Sequence, residues 1–131
     1  MDLFYFNDIC CNEFNIEVIS IKGRYSIPKK QYQSIEVPGR TGNLIIDTGA
    51  KLNKDITIKC CIDCGGLSEQ QTNDKMSLIS EWLVDGLGYG VLTFSDGGIF
   101  KAIVKDIVEI EHKRKDNVFV LNIIFECYEV K

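Results

Sequence analysis

Six cysteines, a single histidine and a few short acidic or glycine-containing spacings are the residues of this chain whose types could do chemistry. Cys61-x-x-Cys64 has the separation of paired zinc ligands, and Cys10, Cys11 and Cys60 could complete a thiolate set. The surrounding pattern argues against convergence. Residues 55–64 alternate, so Ile56, Ile58, Cys60, Ile62 and Cys64 share one strand face and Asp55, Thr57, Lys59, Cys61 and Asp63 share the other. Cys61 then points away from its two neighbours. No second Cys-x-x-Cys exists, and a thioredoxin-type exchange lacks its βαβ setting. Free thiols that pack as small hydrophobes are the expected state. His112 stands in the charged run His112-Lys113-Arg114-Lys115, read as a solvated loop with no placed nucleophile. Glu109 and Glu111 fall on one strand face and read as solvated edge charges. Gly86-x-Gly88-x-Gly90 follows a helix rather than opening one, so it does not cradle a phosphate. No metal, cofactor or catalytic residue is expected, and the chain reads as a non-enzyme.

One string stands apart from that reading. Leu44-Ile45-Ile46-Asp47-Thr48-Gly49-Ala50 resembles the active-site signature of retroviral-type aspartic proteases. In that family two chains each supply one Asp, and the two carboxylates share a proton so that one activates water. The resemblance implies a homodimer using Asp47. The family also needs a glycine-rich flap and a late apolar-apolar-Gly element, whereas Val118 to Val130 contains no glycine. The dimeric protease is therefore the alternative reading, not the first.

The elements that must position these residues are mostly strands. At 131 residues the chain reads as one domain, large enough to bury roughly two thirds of its unfolded surface. With 45% hydrophobic and 26% charged residues the composition is that of a globular protein. A net charge of −4 argues against clustered phosphate binding of nucleic acid. Met1-Asp2 opens without the basic start of a signal peptide, and no apolar run reaches the ~20 residues of a membrane span. A cytoplasmic protein with reduced thiols and no membrane anchor is expected.

Short strands are predicted over 2–6 and 14–22, the second with an apolar phase that slips near Val18 and so calls for a bulge there. Residues 31–47 read as a projecting hairpin, its return strand closed by a turn at Thr48-Gly49. Its tip, Val37-Pro38-Gly39-Arg40-Thr41-Gly42-Asn43, is a rigid corner: Pro38 fixes φ, Gly39 supplies the positive φ of a type II turn, and Arg40 presents a planar cation. One helix is predicted over about 72–85. Ser68 with Gln71, or Thr72 to Asp74, offers the cap, Met76, Ile79 and Leu83 form the buried stripe with Leu78 and Trp82 beside it, and Gly86 follows as C′ residue. Strands over 91–95, 99–111 and 118–130 complete an antiparallel β-sandwich with one helix. On 99–111, Ile99, Ile103 and Ile107 are assigned one face and Phe100, Ala102, Val104, Val108 and Ile110 the other. The last strand is apolar on both faces, more than a lone sandwich can cover. Copies of the chain are therefore expected to meet through the corner at Pro38, Gly39 and Arg40 and through Ile103, Ile107, Phe119, Leu121 and Ile123 on the long strands.

The order of features resembles the N-terminal domain of the distal tail proteins of siphophages. The matching residues are Phe6-Asn7, Phe14-Asn15-Ile16-Glu17-Val18, Val37-Pro38-Gly39-Arg40-Thr41-Gly42, Asp47-Thr48-Gly49 and Ile56-Thr57-Ile58. Glu81-Trp82-Leu83, Leu92-Thr93-Phe94-Ser95-Asp96 and Phe125-Glu126-Cys127-Tyr128 complete the series. The resemblance implies a homo-hexameric ring in a phage or prophage virion. The ring would contact the tail tube protein on one side and the tail-tip or baseplate hub protein on the other, with DNA only passing through its channel. It implies assembly in the bacterial host cytoplasm and a place at the virion tail tip. Family members often continue into a C-terminal domain, and this sequence stops where that domain would begin, which implies a short or truncated form.

Overall fold

Alternation over ten residues becomes a strand, Lys54–Asp63. Its Ile56, Ile58, Cys60 and Ile62 are wholly buried, and Thr57, Lys59 and Cys61 on the other face are half-buried. A computed structural model describes residues 3–25, 27, 30–39, 41–51, 53–86 and 88–129. In chain order the elements are β1 (Phe4–Phe6), β2 (Ile9–Cys10), a 3-10 turn (Cys11–Phe14), β3 (Ile16–Lys22), β4 (Lys30–Ile35), β5 (Leu44–Lys51) and β6 (Lys54–Asp63). Then follow α1 (Glu69–Val84), β7 (Gly90–Phe94), β8 (Ile99–Lys113) and β9 (Val118–Glu129). No helix among the described residues is long and apolar enough to cross a membrane.

The fold is mainly β with one helix, as expected, but its strands do not divide into two facing sheets. Seven of them form a single antiparallel sheet in the order β2-β1-β7-β8-β9-β6-β3, and β4 and β5 pair only with each other. The sandwich arises because the large sheet curls on itself. In a flat sheet β1 and β9 would lie about 14 Å apart, three strand spacings. Instead the rings of Phe6 and Phe125 have centroids 5.4 Å apart, and those of Phe4 and Phe125 are 6.3 Å apart. Phe4, Phe6, Leu92, Phe100 and Ala102 on one half of the sheet thereby close over Ile56, Ile58, Cys60, Ile62, Ile123, Phe125 and Cys127 on the other.

Helix α1 seals the open side of this curl. Ser68 Oγ accepts from the Gln71 amide at 3.2 Å and Gln71 Oε1 accepts from the Ser68 amide at 3.0 Å, a reciprocal cap that satisfies two otherwise unpaired donors. Of the two caps open to the sequence, the earlier one forms, so the helix starts at Glu69 and not near Thr72. Thr72 falls inside the first turn, where its hydroxyl donates to Ser68 O at 2.9 Å. At the other end Asp85 is the C-cap in right-handed geometry, and the positive φ is at Gly88 (+71°), not at Gly86. Ile79, Trp82 and Leu83 are buried, whereas Leu78, placed beside Trp82 by the pattern, is 54% exposed. Trp82 fastens the helix to β1: its indole stacks on Phe4 and Phe14 at 5.7 and 4.9 Å, and its Nε1 donates to Phe6 O at 2.8 Å.

The slip anticipated near Val18 is a bulge. β3 pairs with β6 as Val18↔Cys60 and then Ser20↔Lys59, so Ile19 is the extra residue and stands 53% exposed. Skipping it returns Ile21 to the side of Ile58 and keeps Ile16, Val18 and Ile21 on the core face. β3 ends at Gly23, with φ +84° and so close to β6 that a Cβ there would stand 2.2 Å from Asp55 O. Only glycine fits that crossing.

Candidate assembly surface

Among the described residues, the β4–β5 ribbon and the outer face of the β8–β9 ribbon each present several apolar side chains to solvent. The first has Ile35 opposite Leu44, Ser34 opposite Ile45 and Tyr32 opposite Asp47. Ile35, Leu44 and Ile45 are 36, 39 and 53% exposed. Asn43 Nδ2 donates to Ser34 Oγ at 3.0 Å, closing the wide tip, and Gly39 has the φ of +77° that a type II corner needs after Pro38. Pro38 and Gly39 are exposed at this tip. Arg40, the third residue of the expected contact corner, lies outside the described residues.

The return strand corrects one expectation. Thr48-Gly49 is no turn, because β5 runs on through Lys51, which pairs with Lys30 across a register shift. Asp47 therefore sits within a hydrogen-bonded strand and not in a loop, the position an aspartic protease signature requires.

The long ribbon is built from the 15 residues of β8 and the 12 of β9, the lengths that marked it in the sequence. Its faces differ from the expected ones because β8 carries two bulges. Pairing runs Val104↔Phe125 and then Asp106↔Ile124, and later Glu109↔Leu121 and then Glu111↔Val120, leaving Lys105 and Ile110 as extra residues. Each slip reverses the alternation. Ile107 consequently lies opposite Ile123 on the core side with Ala102 and Val104, and Ile103 does not share its face. The grouping of Ile103 with Ile107 is thus overturned, and so is that of Val108 with Val104.

Leu121 and Ile123, expected to meet a neighbour, are 5 and 0% exposed and belong to the chain's own interior. The helix and the curl of the sheet cover that face completely, so these residues offer no contact surface. Phe119 is half-buried and covered by His112, whose ring stacks on it at 3.9 Å and 4°. Ile103 is half-buried on the outer side. That outer side also carries Val108 at 43%, Ile110 at 48% and Tyr128 at 43% exposure, with Val118, Ile124 and Cys61 half-buried among them. Sequence pattern did place Val120, Ile124 and Tyr128 on one face. The exposure of Val108 and Ile110 beside them depends on bulges that an alternation count misses.

At the end of this ribbon a single side chain ties three elements together. Asn117, in left-handed geometry with φ +51°, donates from Nδ2 to Cys64 O and to Thr72 Oγ1, each at 3.0 Å, and its Oδ1 lies 3.0 Å from His112 Nε2. Its carbonyl accepts from the Cys64 amide at 2.9 Å. His112 is therefore part of β8 and of this corner, not of a solvated loop. At the opposite end Arg24 pairs with Asp96 in the β7–β8 turn and lies 4.3 Å over the Phe94 ring. That hydrogen bond from Arg24 holds the Asp96 carboxyl below its usual value. Arg24 O in turn accepts from the buried Lys54 ammonium at 2.6 Å.

The thiols do not converge. Cys11, Cys60, Cys64 and Cys127 are buried, Cys10 and Cys61 are half-buried, and none of the six forms a disulfide. Burial pushes the Cys60 thiol up to about 12 and raises Cys11 and Cys64, and burial aided by the carboxylates of Glu17 and Asp63 raises Cys61. Raised thiols are poor nucleophiles and poor metal ligands. Among the described residues no three His, Cys, Asp or Glu side chains gather where they could hold a metal ion.

No family model and no curated protein sequence matches this chain. Among solved structures, it is similar to the crystal structure of SPP1 Dit (gp 19.1), titled a paradigm of the hub adsorption apparatus in Gram-positive infecting phages. The TM-score is 0.76 at 12% identity over 97% of this chain and 49% of that one. It is also similar to the sheath-tube complex of PVC, an extracellular contractile injection system, in its extended state. There the TM-score is 0.50 at 14% identity over 99% of this chain and 86% of that one. The chain thus spans about half the length of the SPP1 protein and has the distal tail protein fold.

Proposed function

We propose that the protein is a structural component of a phage or prophage tail tip, a homo-hexameric ring that joins the tail tube protein to the distal tip or baseplate hub and leaves a channel for DNA. The observation that carries this reading is the likeness to SPP1 Dit across 97% of the chain. A ring needs a head-to-tail contact between two different patches of one subunit, closing after a fixed rotation. The β4–β5 ribbon, with Pro38 and Gly39 at its tip, supplies one patch. The outer face of the β8–β9 ribbon, around Ile103, Val108, Ile110 and Tyr128, supplies the other. An isolated two-stranded ribbon is marginal in water, so a neighbour that covers it also stabilises it. The net charge of −4 suits a conduit, because a basic lumen would hold phosphates. The chain acts as a single domain without catalysis, assembled in the host cytoplasm and carried in the virion tail.

Light scattering of the purified protein, followed by electron microscopy of the main species, tests this reading. Six-fold rings that dissociate in Ile45→Asp and in Val108→Asp, both with a native fold, are the expected result. A monomer at every concentration would overturn it. So would a dimer whose peptide cleavage disappears in Asp47→Asn.

A further inference from the structure

The outer face of the large sheet carries a groove that borders the proposed ribbon contact, sharing only Ile110 with it, and whose polar lining the fold does not account for. It has a volume of about 190 Å3 and is lined by Ser20, Lys22, Thr57, Lys59, Ile110 and Asn122. The register explains why they meet. Ser20 lies opposite Lys59 and Lys59 opposite Asn122, while Lys22 lies opposite Thr57, so all five polar residues point outward from adjacent rows of β3, β6 and β9. Lys22 and Lys59 are diagonal neighbours on this face, a separation of about 7–8 Å in an antiparallel pair, close enough for two ammonium groups to bracket one small anion. Ile110, the extra residue of the second β8 bulge, closes the side.

What singles out the groove is its lack of internal partners. Ser20, Thr57, Lys59 and Asn122 are half-buried, and among the described residues neither they nor Lys22 make a side-chain hydrogen bond or ion pair. Acids share the face: Asp55 accepts from Lys105 at 3.0 Å, Asp106 accepts from the Ile107 amide at 2.8 Å, Glu17 lies opposite Cys61 and Glu126 opposite Asp55. The groove thus brings two cations, two hydroxyls and an amide into one concave site of a chain whose net charge is −4. Ammonium, hydroxyl and amide N–H groups are all donors, the set that binds a tetrahedral oxyanion.

We infer that this groove binds a phosphate group, Lys22 and Lys59 bracketing its charge while Ser20, Thr57 and Asn122 donate to its remaining oxygens. The volume exceeds that of a bare phosphate, so the group could be free or part of a phosphodiester chain. The inference does not depend on the ring: the site lies within one chain.

Acetylation footprinting by mass spectrometry, with calorimetric titration at low ionic strength, provides the test. Inorganic phosphate should slow acetylation of Lys22 and Lys59 while leaving Lys101 and Lys115 unaffected, and Lys59→Gln should weaken phosphate binding about fivefold or more. The double variant Lys22→Gln/Lys59→Gln, its fold checked by Trp82 fluorescence, should lose the heat signal. Sodium chloride at equal ionic strength controls for screening. A short oligothymidylate that protects the same two lysines and is displaced by phosphate identifies the ligand as a phosphodiester strand. Protection by phosphate without protection by oligothymidylate identifies it as a free phosphate. Protection equal to that of chloride, or binding unchanged in the double variant, overturns the inference.

Discussion

Replacing Asn117 removes one side chain and detaches three elements, and the size of the effect follows from its geometry. The side chain bonds Cys64 O, Thr72 Oγ1 and His112 Nε2, each at 3.0 Å, in a half-buried corner. At about 1 kcal/mol for each bond, or less where water replaces the lost partner, their removal costs about 2–3 kcal/mol. The φ of +51° adds a second term. Asparagine tolerates left-handed geometry, whereas alanine there costs about 1 kcal/mol more. Asn117→Ala should therefore lose about 3–4 kcal/mol and Asn117→Gly about 2–3, since glycine removes only the side-chain bonds. Asn117→Asp keeps an acceptor for His112 but turns a carboxylate oxygen toward the Cys64 carbonyl in place of a donor, so it should be no more stable than Asn117→Gly. Urea unfolding followed by the fluorescence of Trp82, the single tryptophan, reads all three. A loss below about 1 kcal/mol for Asn117→Ala, or glycine less stable than alanine, would refute the reasoning.

Trp82→Phe keeps most of the ring packing but leaves the buried Phe6 carbonyl without its donor, and should cost about 1–3 kcal/mol by urea unfolding followed by circular dichroism, since the variant has no tryptophan. For Asp96 the folded value lies below the ordinary 3.8, chiefly through the hydrogen bond from Arg24. Its contribution is therefore fully present above the unfolded value and lost as pH falls through the lower folded one. Melting curves from pH 5 to pH 2 should show this loss, and Arg24→Met should flatten it. Cys60 runs the other way: with its thiol pushed from 9.0 up to about 12, the folded chain should lose stability as pH rises from 9 toward 12, a slope that Cys60→Ala reduces and that the raised Cys11, Cys61 and Cys64 thiols share. Native alkylation at pH 8 should be slow at Cys11, Cys60 and Cys64, and fast alkylation of Cys60 would contradict its burial.

The parts of this fold that were legible are those with a local cause. Alternation over residues 55–64 named the buried face of β6, because a strand's side-chain period is a property of the strand alone. A broken period located the bulge near Val18 for the same reason, since the apolar residues on both sides of it had to reach one core. Ser68 and Gln71 marked a cap that needs no tertiary partner. The bulges at Lys105 and Ile110 left no such trace: β8 is apolar on both faces near the first and charged on both near the second, so only pairing with β9 reveals the slip. The candidate surface suffered accordingly. Ile107, Leu121 and Ile123 were taken for contacts although they are interior or core-side, while the phosphate groove joins residues from four strands and has no sequence signature at all. Thr48-Gly49 misled because a Gly in an Asp-x-Gly string reads as a turn, yet β5 continues through both to Lys51, which pairs with Lys30 beyond a register shift.

The extra residues in β3 and β8 also bear on how the protein behaves before it finds its place. Among the described strands, β3 has no partner on its outer side, and β8 beyond Ala102 pairs only with β9. Both open rims contain a bulge, at Ile19 in one and at Lys105 and Ile110 in the other. An incoming foreign chain would find the row of amides and carbonyls interrupted after a few residues and unable to template a regular ladder. At high concentration these interrupted rims disfavour edge-to-edge growth into fibres.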